Sequence, residues 1–220
     1  IPVPHDVPQA YVTLLRVTYT AGEPETYVLP LTFAPEEQAA QVLGSPAAIA
    51  RLRVTGAGQE TVGLLYDAMW DTPFLEQLFE LIARRRHLSG TAGTLVAAST
   101  RPFRALLRGS PHLEPNLLRV EQSNTSVVYG EQFILKLYRR LDDGINPELE
   151  LGRYLTEVCH ALHTAPVAGA LEYQRPQNTP MTLAILQGFV PAQGDAWEYT
   201  RNAVRLYFAE VQTHHTELPG

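Results

Sequence analysis

The sequence has little that could crosslink the chain or carry it across a membrane. Cys159 is the one cysteine among 220 residues, so the chain forms no internal disulfide, and we expect a reducing, cytoplasmic environment. No apolar run approaches the roughly 20 residues that a transmembrane helix needs. The N-terminus also lacks the basic and then apolar layout of a signal peptide. These absences exclude a disulfide scaffold and predict that no membrane is a partner.

Positive charge is also scarce. The chain has 17 lysines and arginines against 23 aspartates and glutamates, which gives a net charge of −6. Such a chain has no general attraction for nucleic acid or for an anionic membrane, so we expect neither as a partner. The hydrophobic fraction of 45% is ordinary for a globular protein, and the length allows one or two domains.

Common ligand-binding motifs are missing. Gly56-Ala57-Gly58 is followed by Thr61 where the dinucleotide fingerprint needs a third glycine, and no G-x-x-x-x-G-K-[ST] phosphate loop occurs. Cys159, His160 and His163 lack a fourth ligand at a spacing that suits zinc, and polar residues of a helix are the simpler interpretation. We therefore predict no metal site in this chain.

The sequence does contain a β-hairpin built around a lysine. The apolar runs Val127–Tyr129 and Phe133–Leu137 flank a short turn at residues 130–132, a pattern typical of paired strands. The period of two in a strand places Lys136 on the face of Ile134, among apolar neighbours. A lysine in such surroundings needs an anionic partner. The alternative is a surface lysine with a solvated stem.

A candidate partner begins the next helix. Asn146 suits the N-cap, Pro147 the first helical position, and Glu148 and Glu150 the positive end of the helix dipole. The helix is predicted to run to about residue 162, and its buried side is predicted to be a stripe of Leu151, Leu155, Val158 and Leu162. We favour Glu150 over Glu148 as the partner of Lys136, because Glu150 borders this stripe. A strand lysine paired with a helix glutamate is the arrangement with which kinase-like folds hold nucleotide phosphates.

The remaining elements predict an α+β fold with antiparallel strands. Strands are expected within residues 11–33, 51–55, 61–65, 170–173 and 182–187, and helices are expected from about 72 to 86 and after Asp195. From residue 123 onward, the predicted order is strand, strand with Lys136, helix with Glu150, strand, strand and an exit segment.

Short segments around Lys136 carry a resemblance to one family. They are Gln122–Val127, Ile134–Lys136, Arg139-Arg140 and Gly144–Glu150. Together they resemble bacterial maltokinases, enzymes often fused to trehalose synthase, with an aminoglycoside-phosphotransferase-like kinase fold. The resemblance implies a mainly antiparallel β cap subdomain at residues 1–110, a kinase-like N-lobe with one αC-type helix and a hinge at 111–190, and the start of a helical subdomain with a post-hinge helix at 191–220.

The resemblance also implies a site for ATP with Mg²⁺. Lys136 would contact the α- and β-phosphates, positioned by Glu150. No glycine lies between Val120 and Tyr129, so hydroxyl and amide side chains would face the phosphates instead. These side chains belong to Ser123, Asn124, Thr125 and Ser126. An ordinary polar turn is the alternative interpretation of this segment.

Adenine would bind to a hinge through backbone groups. The hinge residues would be Gln187, Gly188, Phe189 and Val190, and a simple connector between lobes is compatible with the same residues. The catalytic and metal-binding words of the family, H-G-D and D-F-E, do not occur in the sequence. We therefore expect the C-lobe to be absent, no catalytic residue among these residues, and no activity from the chain alone.

The implied reaction of the parent protein converts ATP and maltose to ADP and maltose 1-phosphate, on the route from trehalose to α-glucan and glycogen. The implied partners are ATP, maltose bound through the missing C-lobe, and a fused or associated trehalose synthase. Two alternatives stay open. One is a non-catalytic, kinase-lobe-like interaction module that docks to trehalose synthase, and the other is a related kinase with another small acceptor, such as an aminoglycoside or choline.

Overall fold

The structure is a computed structural model in which the chain divides into two compact units, Ile1–Phe189 and Val190–Gly220. It describes residues 1–4, 10–56, 59–107, 113–118, 123–161, 163–191, 194 and 196–215. The fold is α+β with antiparallel sheets and few helices, as the sequence predicts. The predicted N-cap Asp195 and the predicted boundary near residue 110 lie outside the described residues, and that boundary stays a prediction.

Within its described residues, the first unit holds two sheets and three α-helices. Its strands in chain order are β1 Pro2–Val3, β2 Ala10–Val17, β3 Glu25–Pro35, β4 Ala48–Gly56, β5 Gln59–Asp67, β6 His87–Ser89, β7 Thr94–Ser99, β8 Pro115–Leu117, β9 Asn124–Tyr129, β10 Phe133–Tyr138, β11 Arg140–Leu141, β12 Val167–Gln174 and β13 Met181–Gly188. Its helices are α1 Thr72–Ala83, α2 Phe103–Leu106 and α3 Pro147–Glu157, with 3₁₀ turns at Ala39–Gln41 and Ala68–Trp70. The second unit holds α4, Ala196–His215.

The first sheet has the strand order β1-β2-β3-β5-β4, and β11 pairs with β3 from a distant part of the chain. The second sheet has the order β6-β7-β12-β13-β10-β9-β8, with antiparallel pairing throughout. Strands β6 and β7 precede the predicted boundary near residue 110, whereas the other five strands of their sheet follow it. Both halves of the chain therefore contribute to the same sheet.

The predicted hairpin around the lysine is confirmed as β9 and β10. Gly130 and Glu131 both have positive φ, +51° and +53°, and such turns match the right-handed twist of the paired strands. The turn places Tyr129 opposite Phe133 and Ser126 opposite Lys136. Residues Phe133, Leu135 and Leu137 are buried on one face, which leaves Lys136 on the other.

The core of the first unit includes an aromatic cluster between α1 and the second sheet. The Phe79 ring lies 5.0 Å from Tyr129 and 5.5 Å from Phe133, and Phe103 stacks on Phe133 at 5.4 Å. The Tyr129 hydroxyl donates a 2.8 Å hydrogen bond to the Leu75 carbonyl, so its polar end is satisfied inside the core. Burial raises the pKa of the Tyr129 phenol, which keeps this donor protonated.

Helix α3 differs from the prediction in its buried face. Leu151 and Val158 are 60% and 61% exposed, whereas Leu149 is fully buried. The packed side continues through Gly152, where an added Cβ would lie 2.6 Å from a methyl group of Val167. The prediction was wrong for Leu151 and Val158, because the side of α3 that faces β12 also includes Gly152 and Thr156, whose hydroxyl accepts the Val167 amide. Of the other two residues predicted as buried, Leu155 is partly buried and Leu162 lies outside the described residues. The helix also ends at Glu157, short of the predicted residue 162.

None of the described helices combines the length and apolar character that a membrane span requires.

Replacing Phe133 with alanine tests the aromatic cluster. Phe133 is fully buried and contacts two other rings, so its truncation removes apolar burial and leaves a cavity. We expect the free energy of unfolding to fall by about 3–5 kcal/mol, measured by urea denaturation. Leu43→Ala, at an exposed side chain of the same unit, is the control and should change stability by less than about 0.5 kcal/mol. Equal effects of the two variants would contradict a contribution of the aromatic cluster to the core.

Candidate functional site

The site is centred on an ion pair between the second sheet and α3. The Lys136 Nζ lies 2.7 Å from the Glu148 Oε2, with the two side chains 29% and 38% exposed. Lys136 stands on β10, which lies between β9 and β13 in the sheet. The lysine is therefore fixed on a central strand, while part of its side chain and of its partner still faces solvent.

The partner of Lys136 is Glu148, and the prediction of Glu150 was wrong. Glu148 and Glu150 lie on opposite sides of Leu149, each about 100° around the helix. Because Leu149 is the residue that packs against the sheet, only one of its neighbours can turn toward β10. Glu150 is exposed. The error followed directly from the wrong buried face of α3.

Tyr138 is a second donor to the same carboxylate. Its hydroxyl lies 2.7 Å from the Glu148 Oε2, and the Lys136 Nζ stands 5.4 Å from the centre of its ring. Burial, followed by the hydrogen bond to Glu148 and its charge, raises the pKa of Tyr138. The phenol therefore stays protonated and donates. Burial alone would raise the pKa of Glu148, but the hydrogen bonds from Lys136 and Tyr138 and the lysine charge lower it overall.

The start of α3 is tied to the sheet by its cap. The Asn146 Oδ1 accepts the Glu148 amide at 2.8 Å, as the predicted N-cap requires. The backbone N–H of Asn146 donates in turn to the buried Thr182 Oγ1 on β13 at 3.0 Å. The N-terminus of the helix is thus held at the strand next to β10, and this contact brings Glu148 within reach of Lys136.

The Ser123–Ser126 segment is only partly assembled around the lysine. Ser126 lies directly opposite Lys136 in the β9–β10 pair, and such residues share a face of the sheet. Asn124 lies opposite Tyr138 in the same way, and its side-chain Nδ2 donates to the Ser123 hydroxyl at 3.1 Å. Thr125 is fully buried on the other face, where its hydroxyl accepts the Arg139 Nε at 2.8 Å.

The predicted hinge begins at the end of β13. Gln187 lies opposite Ile134, a neighbour of Lys136 along β10. The Gly188 amide donates to the Pro166 carbonyl and the Phe189 amide to the Gln132 carbonyl, both at 2.8 Å. These two N–H groups are therefore used within the chain, while Val190 belongs to the second unit.

Two signals in the sequence could have sharpened the site. Lys136 is the only lysine in the chain, and the other 16 cationic side chains are arginines. Where arginine serves every other position, a lone lysine indicates that a compact ammonium is needed. Tyr138 lies two residues further along the same strand face, so the period that placed Lys136 would also have identified this neighbour.

The described part of the chain contains no group of three or more His, Cys, Asp or Glu residues that could hold a metal ion. Cys159 is an exposed free thiol.

The comparisons with known proteins give a remote structural likeness. No family model matches the sequence. A glucosamine kinase in complex with glucosamine, ADP and inorganic phosphate aligns over 92% of this chain and 40% of its own, with 17% identity and a TM-score of 0.48. Crystal form A of glucosamine kinase aligns over 89% of this chain and 38% of its own, with 18% identity and a TM-score of 0.46. Crystal form B aligns over 76% of this chain and 42% of its own, with 19% identity and a TM-score of 0.43. The chain thus spans about two fifths of these structures, and likeness at this level carries no argument about function.

Lowering the pH should remove the ion pair. The pKa of Glu148 lies below its ordinary value of 4.5, so its stabilising effect is complete above 4.5 and is lost as the pH falls through the folded-state pKa. At neutral pH we expect Glu148→Gln to cost up to about 1 kcal/mol, since water screens a half-exposed pair. That difference should vanish in acid. The measurement is urea unfolding as a function of pH, with Glu150→Gln as the neutral-pH control. A difference that does not change with pH would contradict the ion pair.

Proposed function

We propose that this chain is the nucleotide-binding part of a maltokinase-like phosphotransferase. The observation that carries the proposal is the ion pair of Lys136 on a central strand with Glu148 on the helix that follows. Kinase-like folds hold nucleotide phosphates with a lysine of the third strand that is positioned by a glutamate of the next helix. Counted from β8, Lys136 stands on β10, the third strand of its sheet. Helix α3 then follows, before β12 and β13, and the short β11 between β10 and α3 belongs to the first sheet.

The local chemistry supports a phosphate as the ligand of Lys136. Its ammonium is a compact charge with three donors, and Glu148 and the Tyr138 ring keep it pointed along one direction. The partial exposure of Lys136 and Glu148 leaves room for a second anion. Ser126, across the strand pair from Lys136, adds a hydroxyl donor on the same face. Among the described residues no acidic cluster fits Mg²⁺, so the ion enters the proposal only as a companion of the phosphates.

The domain arrangement belongs to the same proposal. Residues 1–110 would form the cap, 111–190 the N-lobe with its hinge, and 191–220 the start of a helical subdomain. Gln187, Gly188 and Phe189 would contact the adenine, through groups other than the amides of Gly188 and Phe189, which are engaged within the chain. Ser123, Asn124 and Ser126 would lie near the phosphates.

The acceptor is proposed on the family resemblance. The reaction would transfer the γ-phosphoryl group of ATP to maltose and release ADP and maltose 1-phosphate, in the cytoplasm and on the route to α-glucan. No catalytic or maltose-binding residue is assigned within this chain. A fused or associated trehalose synthase would be the protein partner.

The function is tested by replacing Lys136 in the protein that carries this chain. We expect Lys136→Ala to lower kcat/KM for ATP-dependent formation of maltose 1-phosphate by at least about 100-fold, measured by a coupled ADP assay and by mass spectrometry of the product. Lys136→Arg should not restore activity, because a planar guanidinium cannot take the place of a compact ammonium. Glu148→Gln should be impaired far more than the matched control Glu150→Gln.

Full activity of the Lys136 variants would place the nucleotide elsewhere and contradict the proposal. Phosphorylation of glucosamine, an aminoglycoside or choline in place of maltose would keep the kinase and change the acceptor. Absence of any phosphotransfer, together with binding to trehalose synthase, would favour the interaction module.

The single lysine allows a direct test of nucleotide contact in the chain itself. Lys136 is the only side-chain amine, so an amine-acylating reagent modifies it and the N-terminus. We expect MgATP to slow acylation of Lys136 but not of the amino group of Ile1, since a bound phosphate covers the ammonium. Mass spectrometry of the digested protein measures both rates. Equal Lys136 rates with and without MgATP would contradict the contact.

A further inference from the structure

We propose that Arg139 is a positioning residue through which the first sheet sets the Ser123–Ser126 segment beside Lys136. The inference rests on the proposed function and names a residue that acts on the site without contacting the nucleotide. Arg139 directly follows β10 of the second sheet and directly precedes β11, which pairs with β3 of the first sheet. It therefore stands where the chain passes from one sheet to the other.

The side chain of Arg139 joins the two sheets. Its Nη2 lies 2.7 Å from the Asp67 Oδ2 at the end of β5, and its Nε donates to the Thr125 Oγ1 on β9 at 2.8 Å. The Arg139 and Asp67 side chains are only 15% and 16% exposed. At this depth a guanidinium requires its carboxylate partner, because an unpaired buried charge is strongly unfavourable.

The backbone of Arg139 makes the same connection. Its amide donates to the Ser123 carbonyl at 2.9 Å, and its carbonyl accepts the Val28 amide of β3 at 2.8 Å. Asp67 is itself fixed, since its Oδ1 accepts the Met69 amide at 2.9 Å. Arg139 is thus held from the first sheet at two points and contacts the Ser123–Ser126 segment at two others.

The position of Thr125 makes this connection relevant to the site. Thr125 precedes Ser126, which lies opposite Lys136, and it is fully buried. If Arg139 loses Asp67, its charge is drawn toward water and its hydrogen bond to Thr125 is broken. The start of β9 then loses the contact that fixes its position beside β10, and Ser123 and Ser126 move relative to Lys136.

The neighbouring residue Arg140 provides a matched control. It also joins β11 to β3, through a 3.1 Å ion pair with Glu25. The Arg140 and Glu25 side chains are more exposed, and Glu25 also accepts hydrogen bonds from Tyr19 and Tyr27. No described contact of the Arg140 side chain reaches residues 123–126. Arg140→Gln therefore removes an ion pair to the first sheet without touching the segment.

The test compares MgATP binding with stability in the protein that carries this chain. We expect Arg139→Gln and Asp67→Asn each to weaken MgATP binding about 10-fold, since small displacements at a site cost that much or more, with the KM for the acceptor unchanged. The two changes combined should cost no more than either alone. Arg140→Gln should change the MgATP affinity less than about 2-fold. Titration calorimetry gives the Kd, and thermal unfolding gives the stability.

Arg139→Lys separates positioning from simple stabilisation. Lysine can keep the charge pair with Asp67 but has no Nε fork to donate to Thr125. We expect this variant to recover most of the melting temperature while MgATP binding stays weakened, and Thr125→Val to weaken binding in the same way. These two conservative changes also decide the matter if Arg139→Gln fails to fold.

The outcomes are distinct. The role of Arg139 would be overturned if Arg139→Lys and Thr125→Val bound MgATP as tightly as Arg140→Gln does. If Lys136→Ala still abolished binding in that case, the proposed function would stay intact. Unchanged binding in Lys136→Ala would overturn the proposed function, and the role of Arg139 with it.

Discussion

The ion pair between Lys136 and Glu148 is the interaction on which the arrangement of the second sheet and α3 depends. A lysine on a central strand, with the hydrophobic core on the opposite face, needs an anion on its own face. That anion can come only from an element that crosses the sheet there. The Asn146 cap and its hydrogen bond to Thr182 place the first turn of α3 at that point. The helix is thus held by polar contacts at its start, and its small Gly152 permits close approach to β12 further along.

The degree of burial of this pair is itself informative. For a fully buried ion pair, the free energy of desolvation can exceed the attraction that the pair gains, and a fully exposed pair contributes little to stability. Lys136 and Glu148 lie between these limits, which strengthens their attraction while leaving the ammonium accessible. The Glu148 oxygen that accepts Lys136 also accepts Tyr138. Glu148 therefore stays in place even when the lysine turns toward another anion, because the tyrosine continues to hold it.

Local signals in the sequence predicted the hairpin, the Asn146 cap and the lysine that needs a partner, because each depends on neighbours within a few residues. The choice of Glu150 failed for a physical reason. Hydrophobic periodicity assumes that the apolar stripe of a helix is its buried face, whereas α3 packs through Leu149 and Gly152 and exposes Leu151 and Val158. The pairing of Arg139 with Asp67 was also out of reach, since it joins distant segments and no local period records it.

The charges of the chain explain how an acidic protein can offer a site for an anion. In the described ion pairs each arginine faces its own carboxylate, as with Arg51 and Glu36, Arg53 and Glu60, Arg84 and Glu80, Arg139 and Asp67, Arg140 and Glu25, Arg153 and Glu172, and Arg175 and Asp143. Lys136 differs because the one Glu148 oxygen that it contacts, Oε2, also accepts the Tyr138 hydroxyl. One oxygen divided between two donors binds each of them less tightly than it would bind one. A phosphate, with more charge and more free acceptors, would compete well for such a lysine, and this local imbalance, rather than the net charge, supports the proposed nucleotide site.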